Sequence, residues 1–335
     1  MNNINTDITN KNEAYVTVIG GVNIDIEAKS FAPLIPKDSN PGKVSTALGG
    51  VGFNIARNIG LMGTRVLMLT ALGDDSDRLR IEKEAERFNI DLSRALTIQD
   101  SRNQTYLYIC GPDGDMELAV NDMELLHSID RAYIEKQLDA INASAAVVVD
   151  ANLDPDTLSF IADNCRVPIF ADPVSIAKAG RMKDILGRLY AFKPNLIEGE
   201  FLSGMSITDD ESMKKASAKL NEIGIKHLFL SLGKHGVCCS SVVNDGCSDA
   251  DVYTAEDGTR LSFFKKPCLV NEISNATGGG DAMMAAIVKG YLLGLDDKAT
   301  ASLALAASTM AVECPHTVNF DITLERVLER AGIRL

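Results

Sequence analysis

From Ala145 onward the chain repeats one unit, an apolar run followed by a segment of helix length, and this repeat restricts the fold more than any other feature. Ala145 to Asp150 is apolar at every position but the last, with no polar alternation. A strand of that kind is covered on both faces, as in a parallel sheet. The pattern then predicts a helix over 155–165, a strand over 167–172 and a helix over 178–189. It continues with a short strand at 190–193, helices over 197–203 and 212–223, and a strand at 227–231 partnered by 236–241. Upstream, Tyr15 to Gly21 and Arg65 to Leu72 read as further buried strands, with helices over 54–62, 76–88 and 130–141. The final third, from Ala282, is helical and alanine-rich. Such alternation predicts an α/β fold, a mainly parallel sheet with helices on both sides. No linker divides it, so one domain is expected over 15–335, preceded by a disordered tail at 1–14.

Two stretches break the rhythm. Val22 to Ile26 alternates polar and apolar residues, so Asn23 and Asp25 share a face. The chain then turns rich in Pro, Lys, Asp and Ser up to Lys43. Gln104 to Cys110 and Met116 to Val120 flank Gly111-Pro112-Asp113-Gly114 as a hairpin. These pieces, about 24–47 and 99–124, are expected to form a β-rich lid. Asp257-Gly258 marks another hairpin.

A net charge of −13 argues against nucleic-acid and anionic-membrane partners, which select basic faces. No apolar run approaches membrane-spanning length, and the asparagine-rich start lacks the features of a secretory signal. The seven cysteines form no Cys-x-x-Cys pair, which fits reduced thiols in a cytoplasmic protein. The four histidines lack metal-ligand spacing.

The chemistry concentrates in Asn275-Ala276-Thr277-Gly278-Gly279-Gly280-Asp281, which runs directly into a helix. Glycines let backbone approach an anion, and a helix N-terminus aims its N–H groups at it. Asp281 would repel a resting phosphate but suits a base that takes a proton from an attacking hydroxyl. It also reads as an ordinary first-turn acid. Four further patches precede it in order. Asn23 and Asp25 suit vicinal hydroxyls, and Gly49-Gly50 followed by Asn54 is a close-approach pair with an amide. Asn195 and Glu198, after Lys193-Pro194, suit a hydrated Mg²⁺ or, equally, a helix capping box. Ser231, Gly233 and Gly236 form a turn able to lie along phosphates. No Gly-x-x-x-x-Gly-Lys-Ser/Thr loop or dinucleotide-binding fingerprint is present.

In this order the patches resemble the ribokinase-like (PfkB) family of sugar and nucleoside kinases, from about Val16 to Leu328. The resemblance implies a three-layer sandwich with a small β-rich lid, and ATP with Mg²⁺. It implies Asp281 as catalytic base, with Gly278, Gly279 and Gly280 as the anion hole. Asn23, Asp25, Gly49, Gly50 and Asn54 match the family's sugar-binding positions. Lys193, Asn195, Ser231, Gly233, Gly236 and Thr277 fall on the ATP side, with Asn195 and Glu198 near the metal. Asn275 and Gly279 depart from the family's usual Asp and Ala; the first weakens the case for K⁺ activation and the second implies a looser anion hole. Segments such as Asp38 to Lys43, Gly114 to Met123 and Asp172 to Ser175 are similar to the branch that phosphorylates pseudouridine. Lys43, Asn121 and Asp122 could then meet a uracil edge. A ribokinase, a fructokinase, another nucleoside kinase and a non-catalytic nucleoside binder are the alternatives. The resemblance also implies a homodimer through the lid.

Overall fold

The computed structural model describes residues 14–243, 252–255, 258–268, 273–274 and 277–335. Nearly all of the expected tail, Asn275 and the Asp257 half of one expected turn lie outside these residues. Among the described residues ten strands form one sheet. Their spatial order is Val252–Thr254, Arg260–Lys266, Val237–Val242, His227–Ser231, Ala191–Phe192, Ile169–Asp172, Ala146–Asp150, Tyr15–Ile19, Arg65–Leu69 and Ile90–Asp91. Pairing is parallel from Ile90–Asp91 to His227–Ser231 and antiparallel beyond it.

The apolar runs explain themselves in this sheet. Val148 enters one core while Val147 and Val149 enter the other, and Phe170 is flanked by Ile169 and Ala171 in the same way. Helices Val51–Leu61, Gly279–Leu292 and Asp297–Val312 close the first core, and Arg131–Asn142 and Pro155–Asn164 the second. Each large side chain so buried contributes roughly 1.5–3 kcal/mol. This is the three-layer α/β architecture expected. The helix expected over 178–189 is corrected. One α-turn, Ile176–Ala179, runs into a 3₁₀ segment, Gly180–Arg188. Gly180 and Gly187 weaken an α-helix there, which leaves room for the tighter 3₁₀ turns. No helix among the described residues is long and apolar enough to cross a membrane.

The lid is a separate four-stranded sheet in the order Gly42–Gly49, Asn23–Ser30, Gln104–Cys110, Met116–Asp122. Its register puts Ala47, Asp25, Tyr106 and Asn121 in one row across the sheet. Glu27, Lys29, Lys43, Ser45 and Tyr108 share that face, which is therefore polar and aromatic. The opposite face carries Val44, Leu118 and Val120, each about two-thirds exposed (66, 60 and 62%).

Candidate active site

In a parallel sheet the carboxyl ends of neighbouring strands open into one crevice, where ligands bind. Here those ends carry Gly20, Asp150, Asp172, Lys193 and Ser231, each the last residue of its strand or the next one. The first turns of two helices, Val51–Leu61 and Gly279–Leu292, complete the wall. Both begin on a glycine with positive φ, Gly50 at 99° and Gly278 at 86°, and no side chain caps either terminus. A Cβ at Gly278 would come 2.0 Å from the Thr317 carbonyl oxygen, so both its backbone conformation and its surroundings require glycine. A Cβ at Gly280 would sit 3.2 Å from the Lys193 ammonium, which therefore faces the exposed backbone of that turn.

Asp281 is buried in this first turn. Its Oδ2 accepts a hydrogen bond from Asn54 Nδ2 at 2.9 Å, joining residues 227 positions apart. Burial pushes its carboxyl up to about 7, assisted by Asp172 and Asp150 and opposed by the Asn54 bond and Lys193. Lys193 makes a buried ion pair with Asp172 at 3.0 Å. Burial opposes its charge, yet Asp172, Asp281 and Glu198 together hold the ammonium above the ordinary lysine range. Asp172 also accepts the Val174 N–H at 2.8 Å. Val174 sits at φ 64°, a left-handed conformation that costs a branched residue roughly 1–2 kcal/mol. Strain of that kind is tolerated where the surrounding structure holds a functional geometry.

Asp25 sits on the inward lid face, against Gly49. A Cβ at position 49 would fall 1.9 Å from Asp25 Oδ2, so the glycine makes room for the carboxylate. Burial raises the Asp25 carboxyl to about 6, with Arg57 pulling it down. Lys43 lies farther out on the same face, where it lines an open cavity of about 430 Å³ with Glu27, Lys29 and Ser45. Asn121 shares the Asp25 row. Asp122 does not: it projects from the opposite, apolar face, because consecutive strand residues point to opposite sides.

The turn from Ser231 to Gly236 lies beside Asn195. The Ser231 N–H reaches the Pro194 carbonyl at 2.9 Å, and Gly233 and Gly236 have φ of 56° and 100°. Thr277 is exposed at the start of the glycine turn. Asn195 and Glu198 form the capping box that their spacing also allowed. Asn195 Oδ1 accepts the Glu198 N–H at 2.9 Å, and Glu198 Oε2 accepts the Asn195 N–H at 2.8 Å. A side-chain oxygen of Asn195 and one of Glu198 are thus spent on the backbone. Glu198 is buried and its carboxyl is raised chiefly by burial. At Gly279 a Cβ would come 2.7 Å from Val312 Cγ1, so the turn packs closely against the helix Asp297–Val312.

The site also contains residues not assigned to it from the sequence: Asp150, Arg57, Tyr106 and Tyr108, and Asp172, which was noted only as the start of the Asp172 to Ser175 segment. Asp150 and Asp172 did carry a signal, since each is an acid ending an otherwise apolar strand.

An uncapped glycine turn facing a buried lysine, with a raised carboxyl behind it and a polar lid opposite, defines a phosphotransferase that acts on a small hydroxyl compound. The chain matches the pfkB family carbohydrate kinases over residues 13–323 and belongs to that family. It is 31% identical to the pseudouridine kinase of Escherichia coli (strain K12), over 94% of this chain and 95% of that protein. It is 30% identical to an uncharacterized sugar kinase, YeiI, of the same organism, over 89% of this chain and 78% of that one. The fold superposes on Arabidopsis thaliana ribokinase complexed with ribose and ATP with a TM-score of 0.79, at 17% identity, covering 96% of this chain and all (100%) of that one.

Proposed function

We propose that this chain transfers the γ-phosphoryl group of ATP to the 5′-hydroxyl of pseudouridine. The observation that carries the reading is the buried Asp281, hydrogen-bonded to Asn54 and set in a glycine turn that Lys193 faces. In this reading Asp25 and Asn54, with Asn23, hold ribose hydroxyls. Asp281 takes the proton of the attacking hydroxyl. The N–H groups of Gly278, Gly279 and Gly280 and the Lys193 ammonium stabilise charge developing on the phosphoryl group. Thr277 and the Ser231–Gly236 turn flank the ATP phosphates.

Mg²⁺ fits the donor set in a limited way. Glu198 Oε1 has no protein hydrogen bond among the described residues and is a hard oxygen ligand, suited to a cation that keeps several waters. The ion would travel with ATP and screen its phosphate charge. Asn195 acts by holding Glu198.

Pseudouridine as acceptor is supported by the likeness to the E. coli enzyme and by the lid face. A free sugar needs few contacts beyond its hydroxyls. Here Asn121, Tyr106 and Tyr108 extend outward beside Asp25, offering an amide and two rings to a flat base. The likeness to YeiI supports a second reading, a sugar acceptor. A panel of pseudouridine, uridine, inosine, ribose and fructose with ATP separates the two. Pseudouridine is expected to give the highest kcat/KM; faster turnover of a free sugar would reverse the assignment. Binding without ADP release would favour a non-catalytic binder.

The exposed Val44, Leu118 and Val120 support pairing of two lids in a homodimer. Light scattering should then report a dimer for the native chain and a monomer for Val120→Glu. A native monomer at micromolar concentration would remove the idea.

A further inference from the structure

Arg57 is buried in the helix Val51–Leu61, three residues after Asn54, so the two side chains share a helix face. Its Nη2 donates to Asn54 Oδ1 and, at 2.8 Å, to the Leu48 carbonyl. Nη1 reaches Glu84 at 3.4 Å, and Nε has no partner among the described residues. The guanidinium also lies 4.9 Å from the centre of the Phe53 ring. A buried guanidinium that still leaves one nitrogen unpaired is costly to keep in a fold. The remaining charges in its field are the carboxylates of Asp25 and Asp281.

A guanidinium has donors only. The Asn54 atom facing it is therefore the oxygen, which turns the amide nitrogen toward Asp281, where it donates to Oδ2. One oxygen of Asp281 is thereby occupied, and Oδ1 is left to accept a proton. Leu48 stands next to Gly49 at the end of the lid strand Gly42–Gly49, so the same guanidinium also grips the root of the lid.

We propose that Arg57 is a positioning residue for phosphoryl transfer: it sets the direction of the Asn54 amide, and so which oxygen of Asp281 takes the hydroxyl proton, and ties that setting to the root of the lid. The inference rests on the reading of Asp281 as base. Asp281 is faced by Asp172 and Asp150 from their strands, by Lys193 after its own, and by Asn54. Arg57 is faced by Glu84 from the helix Arg78–Arg87 and by Asp25 from the lid. Removing a positive charge from among these acids raises the pH at which Asp281 loses its proton.

The test uses the full chain with Arg57→Met and Arg57→Lys, their folding verified by thermal melts. The readouts are kcat, both KM values, the pH dependence of kcat, and ¹³C NMR titration of the aspartate carboxyls without substrate. Arg57→Met should lose on the order of 10²-fold in kcat, with the KM for ATP little changed. The acidic limb of its pH profile, and the Asp281 titration, should both move upward. Arg57→Lys should keep the limb near its native place, because the charge remains, yet stay slow, because one ammonium cannot reproduce the planar fork. A folded Arg57→Met with native kcat and an unmoved limb overturns the proposal. So does a loss of kcat equal at all pH values, which a merely structural arginine would produce. If Arg57→Met does not fold, native kcat in Arg57→Lys overturns it instead. Should the native chain itself release no ADP, the reading of Asp281 fails. The carboxyl titration then judges Arg57 alone, and an unmoved Asp281 midpoint counts against it.

Discussion

Asp281→Asn should lower kcat by about 10²–10⁴-fold while ATP still binds, because it removes only the group proposed to accept the hydroxyl proton. Asparagine keeps the size of the side chain and can still pair with Asn54 after rotation, so the turn around it should stand. Two pH effects accompany the loss. The native carboxyl is raised to about 7, so the ionised base accumulates as the pH rises through that value, and kcat should climb with it. Stability moves the other way. The folded carboxyl holds its proton to about 7 whereas an unfolded one releases it near 3.8, so the folded state binds more protons between these values. Native stability therefore falls as pH rises across that window. Asp281→Asn escapes this cost. Its melting temperature should gain on the native chain with rising pH, and the gain should vanish below about pH 4. Steady-state kinetics, ATP calorimetry and melts across the range check all three statements. Near-native turnover with intact ATP binding would show that another group takes the proton.

The parts of this molecule that were legible in its sequence are those in which one local rule operates. Ala146 to Asp150 had to be covered on both faces because every residue before the aspartate is apolar, and Val147, Val148 and Val149 do divide between two cores. The glycine turn at Gly278 was legible as a turn into a buried helix for the same reason, since three glycines stand directly before an apolar run. What was not legible depends on distance in the chain. Asp172 and Lys193 come together only because consecutive parallel strands, one crossover apart, end side by side. Arg57 has Asn54 within its own helix, but needed the lid strand and the helix Arg78–Arg87 in place before its Leu48 and Glu84 partners existed. Gly42–Gly49 carries few apolar residues and shows its strand character only against Asn23–Ser30. The lid pair Asn121 and Asp122 is a different case. Neighbours in a strand cannot both face one ligand, so strand parity alone would have removed Asp122. Asn195 and Glu198 were legible as a pair, and the capping box is the part of their dual reading that the backbone enforces.

Lys193→Met should cost about 3–5 kcal/mol of stability, because it leaves the Asp172 carboxylate buried without its partner. Both side chains of the pair are only 6% exposed, so water cannot replace the lost contact. The double variant Lys193→Met/Asp172→Asn separates structure from chemistry. With both charges gone, most of the stability should return, as commonly happens when a buried pair is replaced whole. Activity should not return with it. The ammonium faces the position of Gly280, where the proposed mechanism has charge develop, and a methionine there offers nothing to it. A residual loss of about 10²-fold in kcat is therefore expected in the double variant. Denaturant unfolding gives the stabilities, and turnover per folded molecule gives the chemistry. Recovery of both together would mean that Lys193 serves only to neutralise Asp172. Recovery of stability alone would leave the ammonium acting on the phosphoryl group itself, and would explain why a buried lysine is kept there in spite of its desolvation.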